Sequence, residues 1–215
     1  ALQIHMADRP IWSAVALNLA NQLLTQLPDE PFILARKAEA LRLLERYPEA
    51  LEVSERLRQS APDIADLNKA LSDLHLVMAS EAMAQGRPDQ AAEHRAKAIE
   101  MARRRLQIQP EHLLAIENLA VILQIDQKLE EANELYRRMI QIDPDSWSAY
   151  NNLAWNLAEA GMWEEAAPLA DAALELAPDN PGVQDTAGWI ALERGNAQQA
   201  LALLEMAIRR LPNSP

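Results

Sequence analysis

The sequence predicts an all-α chain built from antiparallel helix pairs, and three observations carry that prediction. Prolines recur at 110, 144, 178 and 212, at equal spacings of 34 residues. Within these intervals small and apolar residues return in register: Leu119-Ala120, Leu153-Ala154 and Ala187-Gly188, then Ala132, Ala166 and Ala200, then Met139, Ala173 and Ala207. Composition agrees, since hydrophobic residues make up 49% of the 215 while aromatics reach 4% and Gly only 5 residues, which suits packed amphipathic helices better than sheets. A fixed period of this length marks a repeat array, in which each unit buries its apolar face on its neighbours.

An apolar residue, then Leu-Ala or Ala-Gly, then Ala, then Pro, at a 34-residue period, resembles the tetratricopeptide repeat. The resemblance implies a right-handed α-solenoid spanning residues 1–215 as a single body, in a bacterial protein.

Taken in order, Ile11, Val15, Leu17, Leu19, Leu23, Leu24 and Leu27 have helical spacing and run to Pro28, so residues 10–28 form a half repeat, the second helix of a pair. Residues 29–62 form a full but degenerate unit, with Lys37 where the family places Leu, a turn at Glu45-Arg46, and Ala50, Val53 and Leu57 on its second helix. Residues 63–110 exceed the period by 14. Anchoring on a turn at Gly86 divides the excess into seven residues before the first helix and seven after the second. The insertion is therefore a lengthened hairpin, about 10 Å longer per helix, with Ile64, Leu67 and Leu71 facing Met101, Leu106 and Ile108. Residues 111–144, 145–178 and 179–212 are regular. Asp145 and Asp179 are placed to cap the helices that follow, Pro181 suits a first helical position, and Gly86, Gly161 and Gly195 suit the left-handed turn between paired helices. Both ends look cut from something longer, and Ala1 to Met6 resemble a cloning remnant rather than a signal peptide.

The net charge of -12 argues against a nucleic-acid partner and against an anionic membrane surface, both of which need clustered cations. The longest apolar stretch, Ile11 to Leu24, is interrupted by Ser13, Asn18 and Asn21 and falls short of a membrane span, so no membrane insertion is expected. With no cysteine, disulfides and thiolate sites are excluded, and cytoplasm and periplasm both remain open. His5, His75, His94 and His112 show no metal-ligand spacing, no Gly-rich phosphate cradle or nucleophile elbow is present, and Glu130-Glu131 and Glu164-Glu165 suit the starts of second helices. No catalytic residue, metal or cofactor is expected. Arg95, Lys97, Arg103, Arg104 and Arg105 are expected on a solvated outer face, with a second surface for an acidic partner as the sharper alternative.

In the family the first helix of each unit lines a concave groove that holds peptides. Carried onto this sequence, the resemblance places Glu117, Asn118, Val121, Asn151, Asn152, Trp155, Thr186 and Trp189 in that groove. Asn118 and Asn152 share the position at which the family grips a peptide backbone, and Trp155 and Trp189 share an anchor position suited to a large rigid contact. The carboxylate clamp of chaperone-tail binders is missing. From Glu111 to Asn180 fourteen acids face Lys128, Arg137 and Arg138, a balance of -11, so a ligand there is neutral or basic. Trp147 and Trp163 are expected to pack at helix starts.

The expected function is thus a non-enzymatic scaffold or adaptor for a protein or peptide segment. The alternative is a regulatory or substrate-recruiting arm of a larger enzyme or of a secretion or export machine. The last helix, Ala197 to Leu211, is expected to pack Leu203, Met206 and Ala207 on its partner and to leave Leu201, Leu204 and Ile208 uncovered, giving self-association through this end.

Overall fold

The structure, a computed structural model, describes residues 9–61 and 64–210, with the side chains of Arg9 and Arg210 left aside. Ala1 to Met6 with its His5, Pro62, Asp63, Leu211 and Pro212 lie outside the described residues. The described residues form eleven helices and no strand. A lone α1 (Arg9–Leu24) is followed by the pairs α2 (Pro31–Leu43) and α3 (Tyr47–Ser60), α4 (Ala65–Ala84) and α5 (Pro88–Ile108), α6 (Leu113–Ile125) and α7 (Leu129–Ile142), α8 (Trp147–Glu159) and α9 (Trp163–Leu176), and α10 (Pro181–Glu193) and α11 (Ala197–Arg210). Successive helices pack on one another within two units, one ending at Pro110 and the other beginning at Glu111. In each unit the architecture is the helix-hairpin stacking of an α-solenoid.

Every hairpin turns in the same way. The residue after each first helix is followed by one with positive φ, at Glu45 (58°), Gly86 (69°), Gln127 (60°), Gly161 (74°) and Gly195 (80°). The next N–H then returns to the helix: Arg46, Arg87, Lys128, Met162 and Asn196 donate to the carbonyls of Leu41, Ala82, Leu123, Leu157 and Ala191, at 2.8 to 2.9 Å. These bonds satisfy carbonyls that a helix end otherwise leaves bare. Three turns use glycine, which adopts this backbone freely; Glu45 and Gln127 adopt it against a side-chain clash.

The fourth residue of each second helix is an alanine: Ala50, Ala91, Ala132 and Ala166 are 0% exposed and Ala200 is 1% exposed. Nothing larger than a methyl fits where the paired helices meet. Gly188 makes a similar contact from the first helix of its pair, where an added Cβ would lie 2.9 Å from Leu204 Cγ. Leu204 is therefore half-buried against α10, contrary to the expectation that it is left uncovered. Met206, expected inside, is 41% exposed, because the α11 face turned to α10 runs through Ala200, Leu203 and Ala207. Leu201 and Ile208 are exposed as expected.

Helix starts also depart from expectation. Asn180, not Asp179, caps α10, its Oδ1 accepting from Gly182 N at 2.9 Å and Val183 N at 3.3 Å. Before α8 the capping position falls to Ser146, which makes no side-chain cap, while Asp145 donates its own N–H to Asp143 Oδ1. One residue of register separates the expected cap from the observed one, because the tight turn after the closing proline holds an additional residue.

α4 and α5 contain 20 and 21 residues, against 13 to 16 in the other helices. Leu67, Leu71 and Met101 are buried in one apolar cluster with α2 and α3 residues. Ile64 and Ile108, expected to face each other inside, are exposed at the tips. Arg105, expected on the solvated face, is 6% exposed, since the greater length of α5 carries its last turns against packed helix. Ser72 Oγ donates to Ala98 O at 2.9 Å and ties the two long helices together in the interior. Beside it the fold joins His75 of α4 to His94 of α5, with Nδ1 to Nδ1 at 3.0 Å, so one imidazole donates and the other accepts.

Burial, then the neighbouring His94 and Lys97, pushes His75 down from 6.5 to about 4, with weaker opposition from Glu55 and Glu100. His94 is lowered as well, by burial and by Lys97. The unfolded chain therefore binds more protons than the folded chain below about pH 6.5, and the stability held by the neutral pair is lost as pH falls towards 4. We expect the unfolding free energy to drop by about 1–2 kcal/mol between pH 7 and pH 5, before carboxylates titrate. Urea midpoints measured across that range in the wild type and in His75→Leu/His94→Leu check this, the double variant losing the slope. At the α6–α7 turn, Gln127→Gly relieves the left-handed strain and should raise the unfolding free energy by about 1 kcal/mol. Equilibrium denaturation measures it, and an unchanged or lowered value refutes the strain.

Candidate functional site

The expected groove residues all lie on α6, α8 and α10 of the second unit. On each helix the buried face includes a pair of small or aliphatic residues, Leu119-Ala120, Leu153-Ala154 and Ala187-Gly188. Residues one or two positions before each pair and one after it lie towards the helix edge. Glu117, Asn118, Asn151, Asn152, Trp155 and Trp189 are half-buried there, and Val121 is exposed. Thr186 is not: it is 2% exposed and its hydroxyl donates to Gly182 O at 3.0 Å, a bond to the preceding turn of its own helix. Its side chain is removed from any ligand-facing set.

The tryptophans form one aromatic group. Trp155 and Trp189 meet with ring centroids 4.9 Å apart at 49°, and Trp163 of α9 meets Trp189 edge-on at 5.3 Å and 86°. Each pair has a favourable offset or edge geometry, so Trp189 is fixed from two sides. Trp155 and Trp189 therefore spend part of their surface on each other instead of standing free, and Trp163 packs at its helix start as expected. Trp147 does not; it is 40% exposed at the start of α8. Glu159 and Glu193 follow Trp155 and Trp189 by four residues on the same helices and are exposed. Glu164, the neighbour of Trp163, accepts from Arg194 at 3.0 Å, an exposed ion pair that links the start of α9 to the end of α10.

A polar group lies beside the asparagines. Tyr136 of α7 is 0% exposed and donates through its hydroxyl to Gln124 Oε1 at 3.1 Å. Burial, then the Glu117 carboxylate, holds the phenol well above its usual range, while a hydrogen bond from Asn152 acts in the opposite direction. Asn151 Nδ2 reaches Asn152 Oδ1 at 3.5 Å. Asn152 is thus positioned by Tyr136 and Asn151, whereas no described hydrogen bond engages the Asn118 side chain. Asn156 of α8, buried, donates to Asn133 Oδ1 of α7 at 2.8 Å and ties the two helices together. Tyr136, Asn133 and Asn156 escaped the sequence reasoning because they lie outside the family's groove positions; Tyr136 sharing its register with Ala170 and Leu204 was the available signal.

Among the described residues no group of three or more His, Asp or Glu side chains is placed to hold a metal ion, and no helix is long and apolar enough to cross a membrane.

Family models described as tetratricopeptide repeat match residues 76–146, 123–190 and 157–215. No curated protein sequence matches the chain. Among solved structures, that of YrrB, a TPR protein with an unusual peptide-binding site, is similar over 91% of this chain and 93% of its own, with a TM-score of 0.65 and 17% identity. A MamA structure, the RS-1 ArsTM double mutant, has a TM-score of 0.67 at 13% identity over 84% of this chain and 94% of its own. Another MamA crystal structure has a TM-score of 0.64 at 14% identity, over 86% and 98%. The matched period, the hairpins and the buried small residues at fixed register agree, and the chain belongs to the tetratricopeptide repeat family.

Proposed function

We propose that the second unit holds a neutral or basic segment of a partner protein against α6, α8 and α10. Tetratricopeptide repeats are protein-interaction modules, in general without catalysis of their own, and this chain is an interaction scaffold of that kind. The observation that carries the finer reading is the Trp155–Trp189 pair: two large rings, still half-exposed, held in one orientation by contact with each other and with Trp163. Preordered rings bind at low entropic cost, because little rotamer freedom remains to be lost. Asn152, three residues before Trp155 on α8, and Asn118, at the same register position on α6, offer amide donors and acceptors to a peptide backbone. Glu117, Glu159, Asp185 and Glu193 stand on the same three helices, and the balance of -11 from Glu111 to Asn180 favours cations and opposes acidic segments. That YrrB has a peptide-binding site supports a peptide as the ligand.

The test begins with selection of peptides from a random library on the purified chain, followed by calorimetry on the enriched sequences. Enrichment of Lys- and Arg-bearing or uncharged sequences is expected, with affinity for the basic ones falling as salt rises. Trp155→Ala should weaken binding by about 2 kcal/mol while thermal unfolding remains cooperative, because Trp189 keeps Trp163 as a partner. Enrichment of acidic peptides, or affinity indifferent to Trp155→Ala and Asn118→Ala, overturns the proposal.

A further inference from the structure

α8 and α10, which pack on one another, end on the same pattern. Trp155 is followed one turn later by Glu159, the last residue of α8, and Trp189 by Glu193, the last residue of α10. Residues four apart on a helix are neighbours on its surface, with Cβ atoms about 5–6 Å apart, so each indole has a carboxylate beside it. At the same register α6 carries the aliphatic Val121 and Ile125.

The helices do not account for these two carboxylates. The acidic pairs Glu130-Glu131 and Glu164-Glu165 stand in the first turns of α7 and α9, where the positive end of the helix dipole favours them. Glu159 and Glu193 stand at the opposite, negative ends, where a carboxylate is disfavoured and a cation is drawn. No described hydrogen bond or ion pair engages either side chain. Arg194, next in the chain after Glu193, is committed to Glu164, with Nη2 at 3.0 Å and Nε at 3.3 Å from its carboxylate oxygens. Two exposed carboxylates are thus held against their own helix dipoles, without a cation, beside two half-buried indoles.

The occupant that suits this pattern is cationic and planar. An indole face attracts a cation placed over it, and the carboxylate one turn away accepts N–H donors from the same group. A guanidinium meets both demands, since it is flat, stacks on aromatic faces and presents five N–H donors in a rigid fork. An ammonium is a compact, strongly hydrated point charge that cannot stack. The rings are also preset to receive a flat group: contact with each other at 4.9 Å and 49°, and of Trp189 with Trp163 at 5.3 Å, fixes their tilt. We propose that the Trp155–Glu159 and Trp189–Glu193 turns form a seat for an arginine side chain of the bound segment and select it over lysine, an inference that rests on the groove reading and names the residue recognised there.

The test uses the full chain labelled with ¹⁵N, its indole N–H signals assigned with Trp155→Phe and Trp189→Phe, and three probes. These are N-acetylargininamide, N-acetyllysinamide and N-acetylcitrullinamide, the last keeping the shape of arginine without its charge. The arginine probe should shift the Trp155 and Trp189 signals and bind about fivefold tighter than the lysine probe and about tenfold tighter than the citrulline probe. Glu159→Gln combined with Glu193→Gln, at exposed positions, should weaken the arginine probe about fivefold, with the citrulline probe and the helicity unchanged. Glu130→Gln combined with Glu131→Gln removes the same charge from the same unit and should leave the arginine probe unaffected. Equal affinity for the arginine and lysine probes, equal weakening by the two double variants, or shifts confined to Trp12, Trp147 or Trp163 overturn the proposal. Selected peptides that depend on Trp155 yet lack arginine refute the seat and leave the groove standing, so the two failures are distinguishable.

Discussion

Close approach of each helix to its hairpin partner is the constraint on which the rest of the structure depends. The fourth residue of every second helix can be no larger than alanine, and Ala50, Ala91, Ala132, Ala166 and Ala200 meet that demand with essentially no exposed surface. Their backbone N–H groups accept no compromise either, each donating four residues back to the helix start, as from Ala50 to Arg46 O at 2.9 Å and from Ala132 to Lys128 O at 3.1 Å. With that contact and the left-handed turn before it fixed, the two helices of a pair have one relative placement. Residue size varies around it: Tyr136, Ala170 and Leu204 stand 34 residues apart, and the smallest facing residue, Gly188, occurs where Leu204 needs the room.

This dependence explains what was legible in the amino-acid sequence. Local chemistry recurs at a fixed interval, so proline spacing, turn glycines and buried alanines define helices and turns without reference to distant residues. Features set between helices were not legible. His75 and His94 are 19 residues apart with no shared motif, and only the pairing of α4 with α5 brings their nitrogens together. Thr186 occupies a groove position in register, yet its hydroxyl finds the carbonyl of Gly182 on its own helix and the side chain turns inward. Asn180 displaced Asp179 as the cap because a single residue in the turn decides which side chain meets the first free N–H groups.

The candidate sites divide along the same line. Resemblance could nominate the positions of Trp155 and Trp189, but their mutual contact, and the bracing by Trp163, depend on side-chain direction across three successive helices. The greater length of α4 and α5 was signalled only as an excess of 14 residues in residues 63–110. An excess of seven residues per helix preserves helical phase, which is why the additional turns can continue the face that packs the interior.

Packing among near neighbours has a kinetic side. The principal helix contacts join elements adjacent in the chain, with α8 and α10 the one pair a single helix apart among those with substantial contact. Closing such short segments costs little chain entropy, and a topology dominated by local contacts folds quickly for its length. Each hairpin can therefore form before its neighbours, and a local opening at one turn need not pass through the array. The long α4–α5 hairpin, which makes the most extensive of these contacts, is the segment best able to persist when others have opened.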